Sequence, residues 1–186
     1  MSFWEAWRDR RALRGAAETY TRAAWSEPDD ADVRWLADLA TGGDEDHARW
    51  ELRYCRRALA LVTAEREALD DRTVSAVAHA LVERLHRDRS VAAERVPMAE
   101  RQFNLRLTRY RDALRERGAG GPSERLASAL LAVAGGGHPV ATVDPRATAL
   151  VESFVAAARE QLRTCFGVAQ LPEHVRPSEA ALGTRR

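Results

Sequence analysis

The chain has 186 residues, a formal net charge of +1, 45% hydrophobic and 31% charged residues. That length suits one domain burying roughly 70% of its unfolded surface, and so even a charge sets no field that draws nucleic acid or an anionic membrane. All 29 Lys+Arg residues are arginine, which excludes Walker-type phosphate loops, protein kinases and Schiff-base catalysis by a lysine amine.

The absence of lysine beside abundant Ala, Arg, Leu, Val and Glu is the bias expected of a bacterial genome of high GC content. Two cysteines, Cys55 and Cys165, lack CxxC spacing. They are expected as free thiols in a reducing cytoplasm rather than as a disulfide or zinc framework. The opening residues are charged where a signal peptide needs an apolar run, and the longest weakly polar stretch, Leu126 to Ala134, falls far short of the ~20 residues of a membrane span.

The period is helical nearly throughout. A first helix is expected from Phe3 to Trp25, stopped by Ser26-Glu27-Pro28. Asp29 or Asp30 can cap a second from Ala31 to Ala40, ended by Gly42-Gly43. Asp44 opens a third reaching about Leu69. There Ala48, Leu52, Cys55, Leu59 and Val62 form one stripe, and Trp50, Tyr54 and Leu61 widen the apolar surface. Apolar on two sides, this helix should lie centrally.

After Asp70, Asp71 and Thr73 a fourth helix carries Val74, Val77, Ala78, Leu81 and Leu85 on one face. Pro97 starts a fifth with the stripe Val96, Ala99, Phe103, Leu107, Tyr110, Leu114. Ser123 is expected to cap a sixth helix to Ala134, closed by three glycines. Asp144-Pro145 starts a seventh with Ala147, Val151, Phe154, Ala158, Leu162 and Cys165 in line and Gly167 at its stop. The expectation is therefore an all-α, single-domain bundle of six or seven helices over residues 1–169, with a disordered tail at 170–186.

Ala16, Tyr20, Ala23 and Pro28 have the spacing that closes a tetratricopeptide repeat, and Gly43-Asp44 followed by Ala48 is similar to the junction of its two helices. The resemblance covers the first third of the chain. Trp35, Leu36 and Leu39 are out of step with a following repeat, and no such period recurs after Leu69. It implies a helix pair of that packing style and no more.

Few constellations suggest chemistry. His79, Glu83 and His86 lie at i, i+4, i+7, and Glu83-x-x-His86 is the pair used by diiron carboxylate bundles. They are the candidate metal ligands, but the helical wheel turns them away from the apolar stripe, and no second Glu-x-x-His exists. His47 and Glu51 pair at i, i+4 behind Asp44, Glu45 and Asp46, which suit a helix dipole. His138 precedes Pro139, His174 lies in the proline-bounded tail, and no GxSxG or Cys/His signature accompanies any histidine. Arg101, Arg106, Arg109, Arg111, Arg115 and Arg117 alternate with acids, as on a solvated face. No cofactor and no catalytic residue is implied.

All five tryptophans, Trp4, Trp7, Trp25, Trp35 and Trp50, lie in the first 50 residues. Phe3, Trp4 and Trp7 followed by Arg8, Arg10, Arg11 and Arg14 have the composition of an interface hot spot. Trp7 docked into the bundle beside Tyr20 is the competing arrangement, and an interfacial membrane anchor is another. The leading expectation is a non-catalytic cytoplasmic interaction domain, for adaptor or assembly roles. It would meet another protein or a second copy of itself through Phe3, Trp4, Trp7, Arg8 and Arg11. A metal-dependent bundle enzyme using the His79, Glu83, His86 cluster is the alternative from another class, and peripheral membrane association through the first helix is the third.

Overall fold

The computed structural model describes residues 3–68, 70–117, 120–137 and 143–168, with Phe3 and Ala6 described in the backbone alone. Among them are seven α-helices and no strand: α1 (Phe3–Ala23), α2 (Asp30–Ala40), α3 (Glu45–Glu67), α4 (Asp71–His86), α5 (Val96–Arg115), α6 (Pro122–Ala134) and α7 (Pro145–Phe166). A 3-10 turn at Ala93–Arg95 leads into α5. His138, His174 and the stretch 170–186 lie outside the described residues.

Helix starts follow the caps written into the sequence. The carboxylates of Asp29, Asp44, Asp70 and Asp144 accept hydrogen bonds from the backbone N–H groups of Ala31, His47, Thr73 and Arg146 at 2.7–2.9 Å, satisfying donors that the first turn leaves unpaired. The sixth helix departs from expectation. Pro122, not Ser123, begins it, and Glu124 reaches back to accept from the Gly121 N–H at 2.9 Å. Proline at the first helical position lacks only a donor that would be orphaned anyway.

α3 is central, packing against α2, α4, α5, α6 and α7. Its buried residues run around most of its circumference, from Ala48 to Ala64. Alanines at 48, 58, 60 and 64 let neighbouring backbones approach closely. The expected core residues Leu59, Phe103, Tyr110 and Phe154 are all buried, each such apolar side chain stabilising the fold by about 1.5–3 kcal/mol.

α1 packs on α4 and α7, far away in sequence, and scarcely touches its neighbour α2. The architecture is therefore a closed bundle around α3, not a stack of consecutive helix pairs, and the repeat-like spacing of Ala16 to Ala48 has no counterpart in the packing. Tyr20 fixes α1 in place: it is buried, its hydroxyl donates to the Ala60 carbonyl of α3 at 2.7 Å, and its ring meets Phe166 of α7 edge-on.

Candidate interaction surface

α1 divides into two halves. From residue 17 onward it buries Ala17, Tyr20 and Thr21, and the turn that follows buries Ala24. Between residues 4 and 15 no described side chain is buried, and Leu13 alone is half-buried. The described side chains from residue 4 to residue 12 are thus all exposed.

Trp4 is 67% and Trp7 42% exposed. Their rings meet at right angles, centroids 6.3 Å apart, and the Arg11 guanidinium lies 5.4 Å from the Trp7 ring. At 3.6 residues per turn Trp4 and Trp7 are about 60° apart, with Arg11 between them one turn on. Arg8 and Arg10 are exposed beside them. Trp7 docked into the core is thereby excluded; of the pair Trp7 and Tyr20, Tyr20 alone is core.

The base of this projecting half is fixed to α4. Arg14 donates to both oxygens of Glu83 at 3.1 and 3.2 Å, and His79 lies 3.1 Å from the same carboxylate. Slight desolvation pushes the Glu83 carboxyl up, but the Arg14, Arg87 and His79 charges more than offset it and hold the group below its usual range. Leu13, Ala76 and Ala80 line a shallow groove of about 180 Å³ here, rimmed by Arg10, Arg14 and His79 and by the carboxylates of Glu18 and Glu83.

The candidate ligands His79, Glu83 and His86 do not converge on one point. His79 meets Glu83, whereas His86 faces Glu100 of α5 at 3.5 Å. Glu83 is claimed by arginines, and among the described residues no three His, Cys, Asp or Glu side chains are arranged to hold a metal ion. Nor is any described helix long and apolar enough to cross a membrane.

Three ion pairs were hidden from sequence reasoning. Glu51, which lies 3.4 Å from His47 as their i, i+4 spacing suggests, is 1% exposed and is gripped by both ends of the Arg106 fork from α5. Arg111, assigned to the same solvated face as Arg106, binds Glu65 of α3. Arg57 of α3 is buried, stacks 4.0 Å from the Trp25 ring and donates to Asp88 at 3.2 Å. Burial pulls its guanidinium down to about 10, where it is still charged at neutral pH. The visible signal was phase: Glu51, Arg57 and Arg106 each fall in step with an apolar stripe.

A groove of about 380 Å³ between α1, α3 and α7 is lined by Ala24, Arg56, Ala60, Phe154 and Gln161 among others. Arg56 stacks on Phe154 and donates to the Ser26 and Glu27 carbonyls, while Asp32 at its edge is held by Arg146. Its charges are occupied in closing the α1–α2 connection. Cys55 is buried, and desolvation pushes its thiol up to about 12, so it is no nucleophile.

No family model, no curated protein and no solved structure matches the chain.

Proposed function

We propose that this chain is a non-catalytic protein–protein interaction domain, of adaptor or assembly type, that engages its partner through the first half of α1. The observation that carries the reading is the exposure of Trp4 and Trp7 on a helical segment whose described side chains from residue 4 to residue 12 are all exposed. Large aromatics left in water expose apolar area without compensation, and aromatic and arginine side chains together make up most binding hot spots. A cytoplasmic setting fits two thiols that form no disulfide with one another.

Deletion of residues 1–8 tests the reading. The shortened chain should keep its helical circular dichroism and its Tm within a few degrees. It should also lose a partner, or a second copy, that the full chain retains in pull-down and sizing from the native host. Unfolding on deletion, or undiminished association after it, would overturn the proposal.

A further inference from the structure

Charge decides what kind of surface the first half of α1 fits. Residues 3–14 hold four arginines, Arg8, Arg10, Arg11 and Arg14, against two carboxylates, Glu5 and Asp9. Around the helix axis Arg11 falls between Trp4 and Trp7 and Arg8 about 40° beyond Trp4, whereas Glu5 and Asp9 fall about 130° and 170° from the middle of the stripe. The stripe therefore presents two aromatic rings with one guanidinium fork between them and a second, Arg8, at its edge. Arg14, its charge already taken by Glu18 and Glu83, closes the stripe at the shallow α1–α4 groove, where Leu13, Ala76 and Ala80 offer an apolar floor.

We infer that this stripe and groove bind an acidic amphipathic helix of a different protein, an inference that rests on the interaction reading above. Carboxylates spaced one turn apart would pair with Arg8 and Arg11, for which the planar fork is suited, and apolar side chains on the same face would cover Trp7 and the groove.

The other occupants fit less well. An interfacial membrane helix needs a continuous apolar face with cations at its rim, and here Arg11 stands between the tryptophans. The chain's own segment 169–186 carries three arginines against Glu173 and Glu179, the wrong sign. A second copy meets the same positive helix, and the chain's acidic stretch is largely engaged: Glu27, Asp30 and Asp32 hold Arg53, Arg49 and Arg146, while Asp29 and Asp44 cap helices.

The test uses the full chain and a labelled synthetic helix of about 16 residues built from Leu and Glu, with its Lys-for-Glu counterpart as control, read by fluorescence anisotropy. The acidic peptide should bind, more weakly as salt rises. The double variant Arg8→Glu, Arg11→Glu should weaken it at least about tenfold while leaving circular dichroism unchanged, because neither residue touches the core. Equal binding of the Lys peptide would overturn the inference, as would binding only to phosphatidylglycerol vesicles. So would self-association by sedimentation that the double variant abolishes, or tighter peptide binding by a chain ending at 168. If the peptide fails to bind while deletion of residues 1–8 still removes a host partner, the acidic-helix inference is wrong and the interaction reading stands.

Discussion

Trp7 and Trp25 bracket the same helix, and each has an arginine over its ring, yet the two pairs do different physical work. Arg57 comes from α3, is 2% exposed, lies 4.0 Å from the Trp25 centroid and is oriented by Asp88, which also accepts from the Trp25 indole at 3.1 Å. Arg11 comes from Trp7's own helix, is exposed and lies 5.4 Å away. A cation–π contact in water is worth about 0.5–1 kcal/mol, and a desolvated one about 2 or more. Desolvation, not residue identity, turns one pair into a tertiary clamp and leaves the other as surface available for recognition.

The sharpest break in the comparison is expected at the buried clamp. Arg57→Ala leaves the Asp88 carboxylate without its cation and Trp25 without its platform, and should cost about 3–5 kcal/mol in urea unfolding. Tyr20→Ala, in the buried half of α1, should cost about as much, roughly 3–5 kcal/mol for loss of a core aromatic. A cost below about 1 kcal/mol for either would show that the second half of α1 is not anchored as described.

The clamp should also leave a trace in acid. Burial pushes the Asp88 carboxyl up, but hydrogen bonds from Ser90 and Trp25 and the Arg57 charge outweigh it, so its folded value lies below the unfolded 3.8. A depressed folded value means that its stabilisation is complete above 3.8 and is lost as pH falls through the lower folded value. Asp88→Asn should therefore lower stability at neutral pH by roughly 1–3 kcal/mol and flatten the acid limb of the stability profile. An unchanged acid limb would separate Asp88 from the clamp.

At the exposed end the expected effects are small. Trp7→Ala should change stability by no more than about 0.5 kcal/mol, while affecting association. A large loss of stability would place Trp7 in the core. Smaller still is Tyr110→Phe. The Tyr110 ring is buried but its hydroxyl finds no hydrogen-bond partner of good geometry, only the neighbouring Cys55 thiol. Removing an unsatisfied hydroxyl should be neutral or slightly stabilising, and a loss above about 1 kcal/mol would mean that a partner is present in solution.

The sequence by itself determined the helices and their inward faces. Apolar periodicity and capping are local properties, readable from a few consecutive residues, so Asp44 and Asp144 announced their helix starts, Asp29 was one of two candidate caps, Asp70 marked only a break, and Leu59, Phe103, Tyr110 and Phe154 announced their burial. It also singled out the aromatic–arginine start of α1, but could not say which of its tryptophans would be covered. That required knowing that α1 meets α4 and α7 only from about Leu13 onward. The same holds for the charges. Glu51 pairs with Arg106 across 55 positions, Arg57 with Asp88 across 31 and Arg14 with Glu83 across 69. Periodicity places Glu51, Arg57 and Arg106 near apolar stripes, but pairing is set by how the helices close on one another. Periodicity fixes which side of a helix turns inward; only the assembled bundle decides what it meets there.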